Sequence, residues 1–335
     1  MTETHFGDRY QLIEPIAEGG MGTVWRARHV GLDSTVALKI LCAARAQDPH
    51  MRRRFLREAR LGARARHPNI VQVHDVGETD GRPYVAMELV EGRPIDEWIE
   101  WENPTVSDFL WVVLQAIAGL DAAHNARVIH QDVKPDNLLV SRNTTGVVAK
   151  LIDFGISRDP SEESLSDSAT VVGTLHYMAP ERLHDRTPDP RADLYSLGLV
   201  LYEGLAGRSP FRGERVDSLV REIESGRRIP LRKLAPWVPS ELAYVVERAI
   251  RVDPDRRFQS AHAMGKALQK ARRRLAPAVL SRRLGDPDEQ GRGSLSPLTF
   301  SSTPPADRTR LWFITALGVL LGIATVAALW HGAPP

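Results

Sequence analysis

The order and spacing of a few polar residues in the middle of this 335-residue chain constrain it more than any other feature of the sequence. His130-Gln131-Asp132-Val133-Lys134-Pro135-Asp136-Asn137 is followed, sixteen residues after Asn137, by Asp153-Phe154-Gly155, and later by Met178-Ala179-Pro180-Glu181. Two carboxylates, an amide and a lysine at these spacings suit phosphoryl transfer. That chemistry needs hard oxygen ligands for a divalent metal, a base for the attacking hydroxyl and positive charge on the group in transit. Each short motif is common alone, but the ordered set is not. Upstream lies Glu18-Gly19-Gly20-Met21-Gly22-Thr23-Val24, where glycines let backbone N–H groups approach phosphate oxygens. By itself this is a weak signal, since glycine turns join most hairpins. Lys39 is flanked by Val36, Ala37, Leu38 and Ile40, which implies a partly buried ammonium in need of an anionic partner. Glu58, nineteen residues further on, is the candidate.

The elements around these residues fall into two groups. Residues 10–16, 23–29, 35–41, 70–76 and 84–89 are short β-type runs, and a helix is expected over about 51–66, with Pro68 beyond its end. One helix among five strands makes a first lobe. After Gly92 the pattern is mostly helical: Phe109, Val112, Val113, Ala116, Ile117, Leu120 and Ala123 repeat as one buried helix face, started by Thr105 and Asp108 as a capping box. The lobe boundary falls near Glu91 and Gly92.

The net charge of +2 gives no bulk argument for nucleic acid, and no nucleic-acid partner is expected. The single cysteine, Cys42, precludes a disulfide within the chain and reads as a small buried hydrophobe or, beside Lys39, a reactive thiol. The first ten residues lack the apolar core of a signal peptide. Residues 276–310, rich in Arg, Pro, Ser and Gly, read as a flexible linker. Residues 311–330 carry no charge, and twenty helical residues span roughly 30 Å, the thickness of a bilayer core. Trp312 and Trp330 stand at the two ends, and Arg308 and Arg310 precede the stretch. The expected arrangement is one membrane-spanning helix, the large domain on the cytoplasmic side, and residues 331–335 as a short outer tail. Gly318 and Gly322 form a G-x-x-x-G that suits self-association of two such helices. The linker arginines fit either contact with anionic lipid or plain solvation.

With these motifs in place, residues from about 10 to 274 resemble a protein kinase domain. Gly19-Gly20-Met21-Gly22-Thr23-Val24-Trp25, His67-Pro68-Asn69-Ile70-Val71 and Gly173-Thr174-Leu175-His176-Tyr177-Met178 are similar to the eukaryotic-like Ser/Thr kinases of bacteria, many of which carry a juxtamembrane linker and one transmembrane helix. The resemblance implies an α+β, two-lobed fold: a small antiparallel β lobe with one helix (about 10–90) and a larger, mainly helical lobe (about 91–275), followed by the transmembrane helix. It implies ATP and Mg²⁺ (or Mn²⁺) as cofactors, protein Ser/Thr hydroxyls as acceptors, and a place in the cytoplasmic membrane. Ala17, Gly19 and Gly22 would lie in the phosphate-covering loop, and Val24, Ala37 and Leu139 against the adenine. Met87 would be the gatekeeper, with the Glu88 carbonyl and Val90 amide at the adenine edge. Lys39, held by Glu58, would contact the phosphates. Asp132 would accept or orient the substrate hydroxyl, Lys134 would steady the γ-phosphate, and Asn137 and Asp153 would hold metal. Thr174 would meet the substrate, Glu181 would pair with Arg257, and Asp193 would brace the catalytic loop.

Three departures qualify the resemblance. Ala17 stands where the family usually has a first loop glycine. Gln131 replaces the arginine that pairs with a phosphorylated activation loop, and a neutral amide makes no charge-assisted contact with phosphate. Gly62, one turn after Glu58, is small where the family packs a side chain. Ser164, Ser166, Ser168 and Thr170 are either autophosphorylation sites or part of a solvated acidic loop. The runner-up to an enzyme is a membrane-tethered pseudokinase scaffold, supported by Ala17 and Gln131. A small-molecule kinase on the same fold is a third reading, opposed by Thr174 and the Ala179-Pro180-Glu181 segment.

Overall fold

The computed structural model describes residues 4–144, 146–154, 173, 175–184, 188–213 and 215–286. The small lobe is one antiparallel sheet in the order β1-β2-β3-β4-β6-β5, made of β1 (Thr4–Phe6), β2 (Tyr10–Gly19), β3 (Gly22–His29), β4 (Ser34–Leu41), β5 (Val73–Thr79) and β6 (Arg82–Glu88). The sequence reading gave five strands. The sixth, β1, is three residues long and too short to show a period of its own. It pairs with β2 from Phe6↔Tyr10 to Thr4↔Leu12. Residues 70 and 71, expected as the start of a strand, instead lie with residue 69 against the large lobe: Val71 N–H donates to the Leu151 carbonyl and Leu151 N–H to the Asn69 carbonyl, both at 2.9 Å.

Two helices lie beside the sheet, α1 (Ala43–Ala46) and α2 (Pro49–Gly62). Asp48 caps α2 by accepting from His50 N–H at 2.8 Å, and Pro49 supplies a preset φ in the first turn. Met51, Phe55, Glu58 and Gly62 form its buried face, and five of its other residues are arginines. The helix ends four residues before the expected 66, at a glycine, a poor helix former.

The large lobe begins with β7 (Arg93–Pro94), which joins β8 (Leu138–Asn143) and β9 (Gly146–Leu151) in a three-stranded sheet. Its helices are α3 (Ile95–Glu102), α4 (Val106–Asn125), α5 (Pro190–Ala206), α6 (Val216–Ser225), α7 (Leu231–Leu234), α8 (Ser240–Ala249), α9 (Ala261–Arg274) and α10 (Pro277–Ser281). Thr105 caps α4 by accepting from Asp108 N–H at 3.1 Å. The Asp108 carboxylate takes the Thr105 hydroxyl at 2.9 Å. The side chain is one methylene shorter than the usual Glu, and half of a capping box results. α5 starts at an Asp189 cap, ends at left-handed Gly207 and is buried on nearly every side. A helix apolar all round belongs in a core, and α4, α5, α8 and α9 share one hydrophobic cluster.

One expectation changes here. The chain does not leave the domain at 275. Val106 N–H donates to the Arg282 carbonyl (2.8 Å), Leu284 N–H to the Pro104 carbonyl (3.1 Å), and Gly285 N–H to the Asn103 side chain (2.8 Å). The Arg282 guanidinium lies 4.9 Å from the Trp237 ring centre. Residues 276–286 are thus docked on the large lobe, because backbone pairing gives partners that an Arg- and Pro-rich composition does not advertise. Among the described residues one helix is long and apolar enough to cross a membrane, α4, and it is largely buried in the protein core. The expected span over 311–330, with Gly318 and Gly322, lies outside the described residues.

Candidate active site

The cleft between the lobes gathers the polar residues singled out above. Lys39 comes from β4, a strand whose other side chains are mostly buried. Its ammonium donates to Asp153 Oδ1 at 2.8 Å. Asp153 follows β9 in the left-handed conformation, φ 58°, a strained choice for a non-glycine residue that turns its carboxylate inward. Burial works to raise this carboxyl, but Lys39 more than offsets it and holds the pKa below the usual range.

Glu58 does not hold Lys39. It accepts from Arg54 Nε at 3.1 Å, one turn earlier on α2. An i,i+4 neighbour reaches the carboxylate whatever the rest of the fold does, whereas Lys39 must be brought to it across the lobe. Burial pushes the Glu58 carboxyl up to about 7, against the pull of Arg54 and Lys39. Lys39, Phe55, Glu58, Gly62, Met87 and Phe154 help line a small cavity of about 40 Å³ behind this pair. Gly62 keeps it open, since a Cβ there would touch Phe154 Cβ at 3.4 Å.

The catalytic-loop residues are set by one buried carboxylate. Asp193, on α5, accepts from His130 N–H, Gln131 N–H and His124 Nε2, each at 2.8 Å. Gln131 is left-handed, φ 66°, so two consecutive amides can point at one acceptor. The His130 ring packs on Phe154 with centroids 4.4 Å apart. Asp132 is then clamped by its neighbours. Asn137 Nδ2 donates to both its carbonyl and its Oδ2 at 2.8 Å, and Lys134 Nζ lies 3.4 Å from the same Oδ2. Both bonds use the Asn137 amide nitrogen, so its oxygen is turned elsewhere. Asn137 and Asp153 are close partners through the backbone, since Ile152 N–H donates to the Asn137 carbonyl at 3.0 Å. Among the described residues no group of three or more His, Cys, Asp or Glu could hold a metal alone. A pair of oxygen donors is the usual protein share for Mg²⁺ when substrate phosphates complete the shell, and Asn137 with Asp153 fits that share.

The residues expected at the adenine lie on β3, β4, β6 and β8, or just after β6. Ala37 is buried opposite Met87 across the β4–β6 pairing, with Val24, Leu89 and Val90 in the same apolar cluster. Leu138 and Val140 face the large-lobe core, so Leu139 between them faces the other way. The Glu88 side chain accepts from Lys150 at 2.9 Å and ties the two lobes at their junction. In the β2–β3 hairpin Gly19 pairs with Gly22. A Cβ on Gly19 would meet nothing within 4 Å, whereas one on Gly22 would stand 2.0 Å from the Ile40 carbonyl oxygen. Gly22 is therefore needed for strand packing, and only Gly19 leaves open space for a ligand. Ala17 sits at a register shift without a positive φ, so its methyl costs no backbone strain.

Farther from the cleft, Arg257 makes a bidentate pair with Glu181 at 2.7 and 2.6 Å, both buried. Arg182, which sequence reasoning missed, donates to the Gln131 amide oxygen. A neutral acceptor thus occupies the place expected of a cation, and the cation stands beside it. Nothing in the spacing of residues 131 and 182 signals that contact. Gly155, Ser164, Ser166, Ser168, Thr170 and Thr174 lie outside the described residues.

This geometry, a lysine and two metal-type oxygens facing a clamped aspartate between two lobes, is that of a phosphotransferase cleft. The protein kinase domain family matches residues 10–268, and the chain belongs to it. Relatives that the chain matches are serine/threonine-protein kinases. The chain is 36% identical over 298 residues to the serine/threonine-protein kinase PknH of Mycobacterium tuberculosis, covering 89% of this chain and 45% of that protein. It is 36% identical to PknB of Mycolicibacterium smegmatis over 283 residues, covering 82% of this chain and 45% of that one. The chain therefore spans about half the length of such relatives. The crystal structure of the M. tuberculosis PknI kinase domain superposes with a TM-score of 0.64 at 30% identity, over 81% of this chain and 99% of that one. The family uses ATP with a divalent metal and acts on protein substrates.

Proposed function

We propose that the chain is a protein serine/threonine kinase that moves the γ-phosphate of ATP to Ser and Thr hydroxyls of proteins, itself included, with Mg²⁺ (or Mn²⁺) as the metal. The observation that carries this reading is the clamp on Asp132, with Asn137 and Lys134 both on its Oδ2. The clamp fixes a carboxylate where an acceptor hydroxyl can hydrogen-bond to it, and keeps a lysine charge 3.4 Å away. Asp132 orients the hydroxyl and receives its proton. Lys134 and Lys39 supply fixed positive charge along the phosphates, worth more here than in water. Asn137 and Asp153 would hold the metal, which would supply positive charge against the phosphates when bound. Val24, Ala37, Met87, Glu88, Val90 and Leu139 would receive the adenine, and Gly19 and Gly22, with Ala17, the loop above the phosphates.

For Lys39 to hold phosphate while Asp153 holds metal, their mutual pair must open. Glu58 is then the counter-ion within reach of Lys39, provided that it leaves Arg54. Sequence supports the rest of the reading: an anchor over 311–330 in the cytoplasmic membrane with the kinase domain inside, self-association through Gly318 and Gly322, and a linker reduced to residues after 286. The scaffold alternative gains nothing from Ala17 or Gln131, since the first is unstrained and the second retains its left-handed turn. Incubating the full chain with γ-labelled ATP and Mg²⁺, then hydrolysing the product to amino acids, tests the proposal. Label on phosphoserine or phosphothreonine is expected. Label found only as free phosphate would overturn it.

A further inference from the structure

Helix α9 carries a row of cations with no counter-charge among the described residues. Its buried face is Ala261, Met264, Leu268 and Ala271. Lys266, Lys270 and Arg273 stand at i, i+4 and i+7 on the opposite face, and all three are exposed. Side chains at that spacing are neighbours about 5–6 Å apart, and like charges there repel and weaken the helix. Among the described residues no ion pair or hydrogen bond reaches the three side chains. Residues 261–285 hold seven Lys and Arg and no Asp or Glu, in a chain with 42 of the latter, so the row gets no relief from its own segment. Asp121, at the start of the row, is engaged by His262, whose N–H donates to it at 3.1 Å. Arg274, beside the row, acts on exposed Glu241.

The sequence groups these cations with the other arginines of the region, but the structure divides them. Arg272 donates to the Ser107 hydroxyl at 3.0 Å, and Arg283 to the Asn103 carbonyl at 2.7 Å. These two fasten α9 and residues 282–286 to the start of α4. The same contacts put the C-terminal end of the row on the side of the domain where Asp286 lies, after which the chain runs on toward residues 311–330. The twenty-four residues 287–310 reach at most about 85 Å. An anchor over 311–330 therefore keeps this side of the domain near the bilayer.

The chemistry of the row selects its partner. A packed protein interface is built around aromatic and apolar anchors and is poor in lysine at its centre. α9 exposes no large hydrophobic side chain, and two of the three cations are lysines. Charge without apolar anchors suits a surface of anionic headgroups, where each Lys or Arg strengthens binding by about fivefold.

We propose that Lys266, Lys270 and Arg273 dock the large lobe on anionic lipid headgroups of the membrane that holds the chain. This rests on the anchor in the reading above and gives the kinase domain a lipid-facing side, α9.

The test uses the full chain with Cys42→Ser and Gln269→Cys, which places one donor fluorophore in the middle of the row. The protein is put into bilayer nanodiscs of phosphatidylcholine alone, or with about one lipid in three replaced by phosphatidylglycerol, each with a headgroup acceptor. Energy transfer should be at least about twofold higher on the anionic discs. The gain should vanish in about 0.5 M NaCl, where screening shortens to about 4 Å. It should also vanish in the triple variant Lys266→Gln, Lys270→Gln, Arg273→Gln. These side chains are exposed and unpaired, so the variant should fold, and unchanged autophosphorylation in neutral discs checks that it does. Equal transfer on both lipids, or a gain that survives in the triple variant, overturns the docking and leaves the anchor intact. Protein that does not stay with neutral discs removes the anchor, and the docking with it.

Discussion

Replacing Arg257 with methionine probes the most heavily bonded side chain in the large lobe. The guanidinium has five N–H groups. They go to Glu181 Oε1 and Oε2, and to the carbonyls of Arg251 (2.6 Å), Arg191 (3.1 Å) and Val252 (2.9 Å). The Tyr195 ring centre lies 4.8 Å from its Cζ. Methionine keeps most of the volume but strands the Glu181 carboxylate without its partner. Breaking a buried pair from one side costs about 3–5 kcal/mol, and three carbonyls left without donors add about 1 kcal/mol each. The total is comparable to the whole stability of an ordinary domain, about 5–15 kcal/mol. The variant should therefore be largely unfolded or aggregated at 37 °C. Arg257→Lys keeps the charge but has three donors for five acceptors, and should lose about 2–3 kcal/mol. The double change Arg257→Met with Glu181→Met removes the stranded charge. It should recover at least about 2 kcal/mol relative to Arg257→Met alone. Urea unfolding, followed by tryptophan fluorescence, measures all four proteins. A loss under about 1 kcal/mol in Arg257→Met, or no recovery in the double variant, would refute the reasoning.

Three further outcomes are expected. Gly22→Ala should cost about 1–3 kcal/mol, because its Cβ would press on the Ile40 carbonyl, while Gly19→Ala should leave stability unchanged and raise the KM for ATP; thermal unfolding and ATP kinetics separate the two. Arg54→Ala frees Glu58 for Lys39 and should improve kcat/KM for ATP about two- to fivefold, and a decrease would contradict that competition. The Glu203 carboxyl, raised from 4.5 to about 7 by burial, keeps its proton in the folded state at pH values where the unfolded chain has lost it. Stability should thus fall as pH rises from about 4.5 to 7, and Glu203→Gln should flatten that slope and stabilise the protein at pH 8 by about 1–3 kcal/mol in chemical unfolding curves.

Much of the cleft was legible in the sequence because its chemistry depends on residue type at fixed spacing. Asp132, Lys134 and Asn137 fall within one short loop, and their clamp is a local matter. The α4 face and its Thr105 cap follow from periodicity. What stayed hidden depends on which of several partners a charge meets. Lys39 reaches Asp153, 114 residues away, and Glu58 takes its own helical neighbour. Apolar flanks announced that Lys39 needed an anion but not which one. Arg182 and Gln131 meet only because the fold returns the chain past itself. The docking of residues 276–286 was hidden by composition, since backbone hydrogen bonds to 103–106 leave no mark in side-chain pattern.

The central claim, that Asp132 and Lys39 run a phosphotransfer cleft, is tested most directly by comparing the full chain with Asp132→Asn and Lys39→Met. The measurement is γ-phosphate transfer from labelled ATP with Mg²⁺. The account predicts incorporation into Ser and Thr by the wild type and a loss of about a hundredfold or more in each variant. Equal incorporation by all three proteins would contradict it.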